Sequence, residues 1–135
     1  MTDPVEPHDA LLRASALDRA RAEEASRARE LLARFLADAR AAGLTPSPLV
    51  ARGYDGRGGY RTGVEGWYLK KDRSVAVGTD GEFYVLSVQG GLVARLRGAT
   101  LSPSDPPLEL GRGGRDGESI PLSVALSRVL ERSDR

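Results

Sequence analysis

The chain has 135 residues, of which 40% are hydrophobic and 29% charged, a globular composition at a length that suits one domain and lets roughly two-thirds of the unfolded surface be buried. With two Phe, four Tyr and one Trp, that core must be built mainly from Leu, Val and Ala. Twenty basic residues against nineteen acidic ones give a net charge of +1, and there is no cysteine, which excludes disulfides, thiolate metal centres and cysteine nucleophiles and gives no reason for the whole molecule to seek a polyanion.

Residues 1–8 carry two prolines and two acids without periodicity and read as an unstructured tail ahead of a single domain over 9–135. The start has neither a basic region nor an apolar core of the kind a secretion signal needs, and no later run nears the roughly 20 apolar residues of a membrane span. The expectation is a cytoplasmic protein with no membrane partner.

Residues 9–43 predict one long helix. There is no Gly or Pro before Gly43, and Ala, Leu, Arg and Glu are strong helix formers. Ala28, Leu31, Leu32, Phe35, Leu36 and Ala39 recur at three- and four-residue steps, the stripe of a helix laid on a core. The first half lacks such a stripe and carries instead i,i+4 charge pairs such as Arg19/Glu23 and Glu23/Arg27, a pattern that Arg34/Asp38 continues further along. A helix of this length reaches about 50 Å, so it must either break near residues 15–18 or overhang the domain. Gly43 is placed to close it as a C′ glycine.

Residues 49–110 predict an antiparallel sheet of four to five strands, arranged as a meander. Its centre is residues 66–98, where Trp67-Tyr68-Leu69, residues 74–77, 82–88 and 92–96 are short β-forming runs bounded by turn signals. Asp80-Gly81 between two of them predicts a type I′ hairpin turn. Ahead of the centre, Leu49-Val50-Ala51 is a candidate first strand, and the glycine-rich stretch 52–63 reads as a long loop or a ragged hairpin. After it, 99–101 is a strand end and Leu108-Glu109-Leu110 an edge strand. In the run 82–88, Phe83, Val85 and Ser87 face one way and Tyr84, Leu86 and Val88 the other, so both faces are apolar. The second face therefore needs covering by the N-terminal arm, a loop or a second subunit.

A Gly/Arg loop over 111–120 leads to a C-terminal helix at 121–132, whose Leu122, Ala125, Leu126, Val129 and Leu130 repeat the core-facing spacing behind a proline suited to the first turn. The fold class is α+β: a long N-terminal helix, an antiparallel sheet and a short C-terminal helix packed on one sheet face.

Two sets of residues are candidates for function. Gly56-Arg57-Gly58-Gly59 and Gly111-Arg112-Gly113-Gly114 repeat a tetrapeptide, and Arg57, Arg61, Arg112 and Arg115 on these flexible backbones suit a phosphate or carboxylate, although neither loop fits a dinucleotide or P-loop pattern. Tyr54, Tyr60 and Trp67 lie among the basic residues of 52–73 and are candidates for stacking unpaired bases. No catalytic residue is assigned. The only histidine, His8, sits in the tail; Asp80, Glu82, Asp116 and Glu118 lack the spacing of a calcium loop; and Ser119, Ser123 and Ser127 have no base nearby. No metal or cofactor is expected. The leading expectation is a non-catalytic protein-interaction module, a small bacterial accessory or adaptor protein that acts through its sheet face or long helix on another protein or, as a homodimer, on itself. The alternative is binding of nucleic acid or a phosphate ligand by the two Arg/Gly loops.

Overall fold

A computed structural model describes residues 7–111 and 119–132. Helix α1 (Pro7–Ala41) is continuous, with no break near residue 15, because nothing in it interrupts the backbone ladder. It ends in a Schellman motif: Leu44 N–H donates to Ala39 O at 2.9 Å and Gly43 N–H to Arg40 O at 3.1 Å, with Gly43 at φ 67°, a backbone region cheap only for glycine. Only the second half of α1 packs. Ala25, Ala28, Leu32, Phe35 and Ala39 are buried, whereas residues 8–23 are exposed throughout. None of the expected i,i+4 pairs closes to 4 Å; the ion pairs among the described residues are Arg29–Asp105 at 2.5 Å and Lys70–Asp72 at 3.6 Å.

The sheet has five strands in the order β4-β3-β2-β1-β5, formed by β1 (Ser47–Gly53), β2 (Tyr60–Tyr68), β3 (Val75–Gly78), β4 (Phe83–Val85) and β5 (Ser87–Val88). Every pairing is antiparallel except β1 with β5. Leu86 alone separates β4 from β5; its N–H donates to Ser74 O and its C=O accepts from Arg52 N–H. One run of chain thus bonds both ends of the sheet, β3 through β4 and β1 through β5, and curls the sheet round on itself. Helix α2 (Leu92–Arg97) follows. A two-stranded ladder, β6 (Glu109–Leu110) with β7 (Ile120–Pro121), then leads into α3 (Leu122–Glu131).

Four expectations need correction. Residues 92–96 are helical, not a fourth meander strand: glycines at 91 (φ 148°) and 98 (φ 86°) isolate a Leu/Ala/Arg-rich segment. Residues 108–110 pair with β7, outside the main sheet, and 99–101 form no strand. By contrast, the stretch 52–63, expected as a long loop or a ragged hairpin, is the hairpin, with a bulge where Pro48 and Val50 face Glu65 and Arg61; Gly63 has φ 73° there, and Thr62 Oγ1 donates to Leu49 O at 2.7 Å. The Asp80-Gly81 turn is not type I′. Among the described residues Arg73 is the only non-glycine with positive φ, so Asp80 has negative φ. Gly81 N–H donates to Gly78 O and Gly78 N–H to Glu82 O, the pattern of a type I turn closed by a glycine bulge.

Alternation along the strands divides the core in two. Trp67, Leu69, Val77 and Phe83 face α1 and α3, with Phe35 edge-on to Trp67 at 5.5 Å between ring centroids. Leu49, Ala51, Tyr60, Ala76, Tyr84, Leu86 and Val88 form the opposite cluster, against which Ala94, Ala99 and Leu101 pack. The second apolar face is therefore covered by the chain's own 94–101 segment. It gives no separate reason for a dimer.

Candidate functional site

Among the described residues, those singled out from the sequence do not converge on one surface. Tyr54, at the tip of the β1–β2 hairpin, is 75% exposed, and Arg57 is exposed two residues beyond the Asp55 carboxylate that accepts its backbone N–H at 2.9 Å. Tyr60 is buried in the cluster on one sheet face and Trp67 in the cluster on the other. The Tyr60 hydroxyl accepts from Gly91 N–H at 3.2 Å, while the Trp67 indole N–H is buried without a hydrogen-bond partner. Neither ring offers a face to a base. Arg61 straps α2 to β2: its guanidinium donates to Leu96 O at 3.3 Å, and its own carbonyl accepts from Ala99 N–H at 2.7 Å. Arg112 and Arg115 lie outside the described residues, as do Asp116 and Glu118. His8 sits exposed in the first turn of α1. Asp80 is committed to its turn, and among the described residues no three His, Asp or Glu side chains converge as a metal site would require.

Three other surfaces stand out. The first is the free half of α1, sixteen consecutive exposed residues that extend about 24 Å at 1.5 Å per residue and carry the exposed Leu11, Leu12 and Leu17. Because the packed half already supplies the helix nucleus, each further turn adds its hydrogen bonds without a nucleation cost, so this arm is a rigid continuation. Ala10, Ala14 and Leu17 continue the buried stripe at four- and three-residue steps until Asp18 and Arg21 interrupt it.

The second is α2. None of its residues is buried, and Leu92, Val93 and Leu96 are 72%, 69% and 68% exposed, an unusual concentration of apolar side chains for six residues of helix. Beside it runs a shallow groove of about 470 Å³ along residues 88–94 and 98–100.

The third is a cleft of about 680 Å³ between the β2–β3 turn and α3. Lys70, Lys71, Arg128 and Arg132 rim it, and Leu69, Ile120 and Val124 supply apolar lining. Asp72 is the one carboxylate among the lining residues. Its Oδ1 accepts from the backbone N–H of Ser74 at 3.0 Å and from the Ser74 hydroxyl at 2.6 Å, and Oδ2 faces Lys70 Nζ at 3.6 Å. Partial burial raises the Asp72 pKa, but the Ser74 hydrogen bonds and the Lys70 charge together outweigh it and hold the carboxyl below its usual range.

Sequence reasoning missed the cleft because its two walls are some sixty residues apart in the chain. The legible part of the signal was Arg128 and Arg132, four residues apart on the charged face of α3. Comparison with models of known protein families, with curated proteins and with solved structures finds no match.

Proposed function

We propose that this chain is a non-catalytic protein-interaction module that engages another protein through the projecting half of α1. The observation that supports the reading is the run of exposed residues 8–23 with Leu11, Leu12 and Leu17 on it. Leu11, Ala14 and Leu17 follow at three-residue steps, a spacing at which a helix lays apolar side chains into a partner's groove, and a helix already rigid before contact loses little conformational entropy on docking. The exposed leucines of α2 supply a second apolar contact on the sheet side of the same module.

The test compares the wild-type chain with L11S/L12S/L17S in affinity capture from the source cells, read by mass spectrometry, with sedimentation of the purified chain reporting self-association. The expected result is a protein, or a second copy of the chain, bound in stoichiometric amount by the wild type and lost from the triple variant. The thermal midpoint should stay unchanged, since these side chains touch no core. Equal capture by both, or stoichiometric capture by neither, overturns the reading.

A further inference from the structure

We infer that the cleft between the β2–β3 turn and α3 is a separate binding site for an extended acidic peptide segment that presents an apolar side chain between carboxylates. It does not rest on the reading of α1, from which it is distinct in place and chemistry.

Charge is the first argument. The molecule as a whole is nearly neutral, with a net charge of +1, yet among the described residues four cations and one carboxylate line this cleft. That carboxylate is already occupied, by Ser74 and by Lys70, and the Lys70 side chain is only 14% exposed. Lys71, Arg128 and Arg132 are exposed and, among the described residues, have no carboxylate within ion-pair distance. Three uncompensated cations around a concavity concentrate positive potential there.

Spacing is the second. Val124, Arg128 and Arg132 follow at four-residue steps on α3 and so lie along one face, about 6 Å apart per step. In an extended chain, side chains on the same side recur every second residue, at about 6.6–6.8 Å. Two carboxylates separated by one residue therefore match the two guanidinium groups, each able to take a carboxylate bidentately. Val124, which is partly exposed, and Leu69 and Ile120 provide the apolar surface between the two walls.

The lining also discriminates between polyanions. No aromatic ring lines the cleft, and stacking on aromatic rings supplies much of the affinity for single-stranded nucleic acid. Its volume of about 680 Å³ belongs to a ligand of several residues, not a single phosphate.

The test is fluorescence anisotropy with a fluorescein-labelled decapeptide holding a Glu-Leu-Glu core in glycine and serine, and a twelve-residue thymidine oligonucleotide as competitor. The wild-type chain should bind the peptide saturably, weaken as salt rises from about 50 to 200 mM, and shift the amide resonances of Leu69, Ile120 and Val124. R128E/R132E should weaken binding by about tenfold or more, and K71E, which lies in a turn and leaves the helix alone, should weaken it too. R27E/R34E makes the same change of charge on the solvent face of α1 and should bind as the wild type does. The inference is overturned by the absence of saturable binding, by an equal loss in R27E/R34E, or by displacement of the peptide at lower concentrations of oligonucleotide than of unlabelled peptide. Far-UV circular dichroism confirms that each variant keeps its fold.

Discussion

Two turns of this protein share the pattern Gly-x-Asp-Gly and the same hydrogen bonds, but they stand in different surroundings. In residues 53–57, Gly56 N–H donates to Gly53 O, Gly53 N–H to Arg57 O, and Arg57 N–H to Asp55 Oδ1; in residues 78–82, Gly81 N–H donates to Gly78 O, Gly78 N–H to Glu82 O, and Glu82 N–H to Asp80 Oδ1. The pattern Gly-x-Asp-Gly has a physical reason at each specified position. The aspartate folds back over the first glycine, so a Cβ there would lie 2.9 Å from Asp55 Oδ1 in one turn and 2.5 Å from Asp80 Oδ1 in the other. The last glycine takes φ of 79° and 81°. Beyond this the turns diverge. Tyr54 leaves the first turn for solvent, whereas the second is held by the Tyr84 hydroxyl on Asp80 Oδ2 at 2.5 Å and by Arg40 of α1 on Thr79 O at 3.4 Å. Local sequence sets the shape of a turn, and tertiary contacts set how much stability rides on it.

The largest expected difference is at the first glycine. Gly78→Ala forces a methyl against a carboxylate that is itself pinned and to 2.9 Å from the Tyr84 ring, and should cost about 2–3 kcal/mol, as overpacking does. Gly53→Ala meets the Asp55 carboxylate, which no tyrosine pins, at 2.9 Å and the Arg57 carbonyl at 3.1 Å, and should cost about half as much, with urea midpoints measuring both. Next comes the aspartate. Asp80→Ala leaves the buried Tyr84 hydroxyl without its acceptor as well as removing a turn bond, for about 2 kcal/mol, against about 1 kcal/mol for Asp55→Ala, which loses the turn bond alone.

The control follows. Gly81→Ala and Gly56→Ala impose the same left-handed strain, with only ordinary contact to Leu36 at the first and nothing within 4 Å at the second. Each should cost about 1 kcal/mol, and a difference beyond about 0.5 kcal/mol would break the comparison. The smallest effect is in alkali. Burial, the hydrogen bond to Asp80 and the nearby carboxylate charges push the Tyr84 pKa up to about 12, above the usual tyrosine range. The raised value favours the protonated, folded form, so this stabilisation is complete below pH 10 and is lost as pH climbs toward 12. Stability curves over that range should be flatter for Tyr84→Phe than for the wild type, and unchanged in slope for Asp55→Ala.

The same division runs through the whole molecule. The long helix, its apolar half, its glycine cap and the C-terminal helix were legible because spacing, propensity and capping all act within a few residues. The repeated Gly-x-Asp-Gly was equally present in the sequence, and a third copy occurs at residues 114–117, outside the described residues. What could not be read locally was the destination of residues 83–88. Their two apolar faces predicted only that both sides are covered; that the same run bonds β3 and β1 at once depends on β1, more than thirty residues away. Of the candidate sites, Tyr60 and Trp67 carried no local sign of being buried on opposite faces, and the cationic cleft needed Lys70-Lys71 and α3 to be folded together before it existed.

Taken alone, the order of residues determined the elements and their class, because hydrogen-bond ladders, apolar periodicity and glycine's freedom at positive φ operate over one or two turns of chain. Only the tertiary structure decided which face of each element is buried, which arginines keep a free guanidinium and which are spent on a neighbouring carbonyl. Burial and charge pairing are settled by groups distant in sequence, whose approach is set by how the sheet curls.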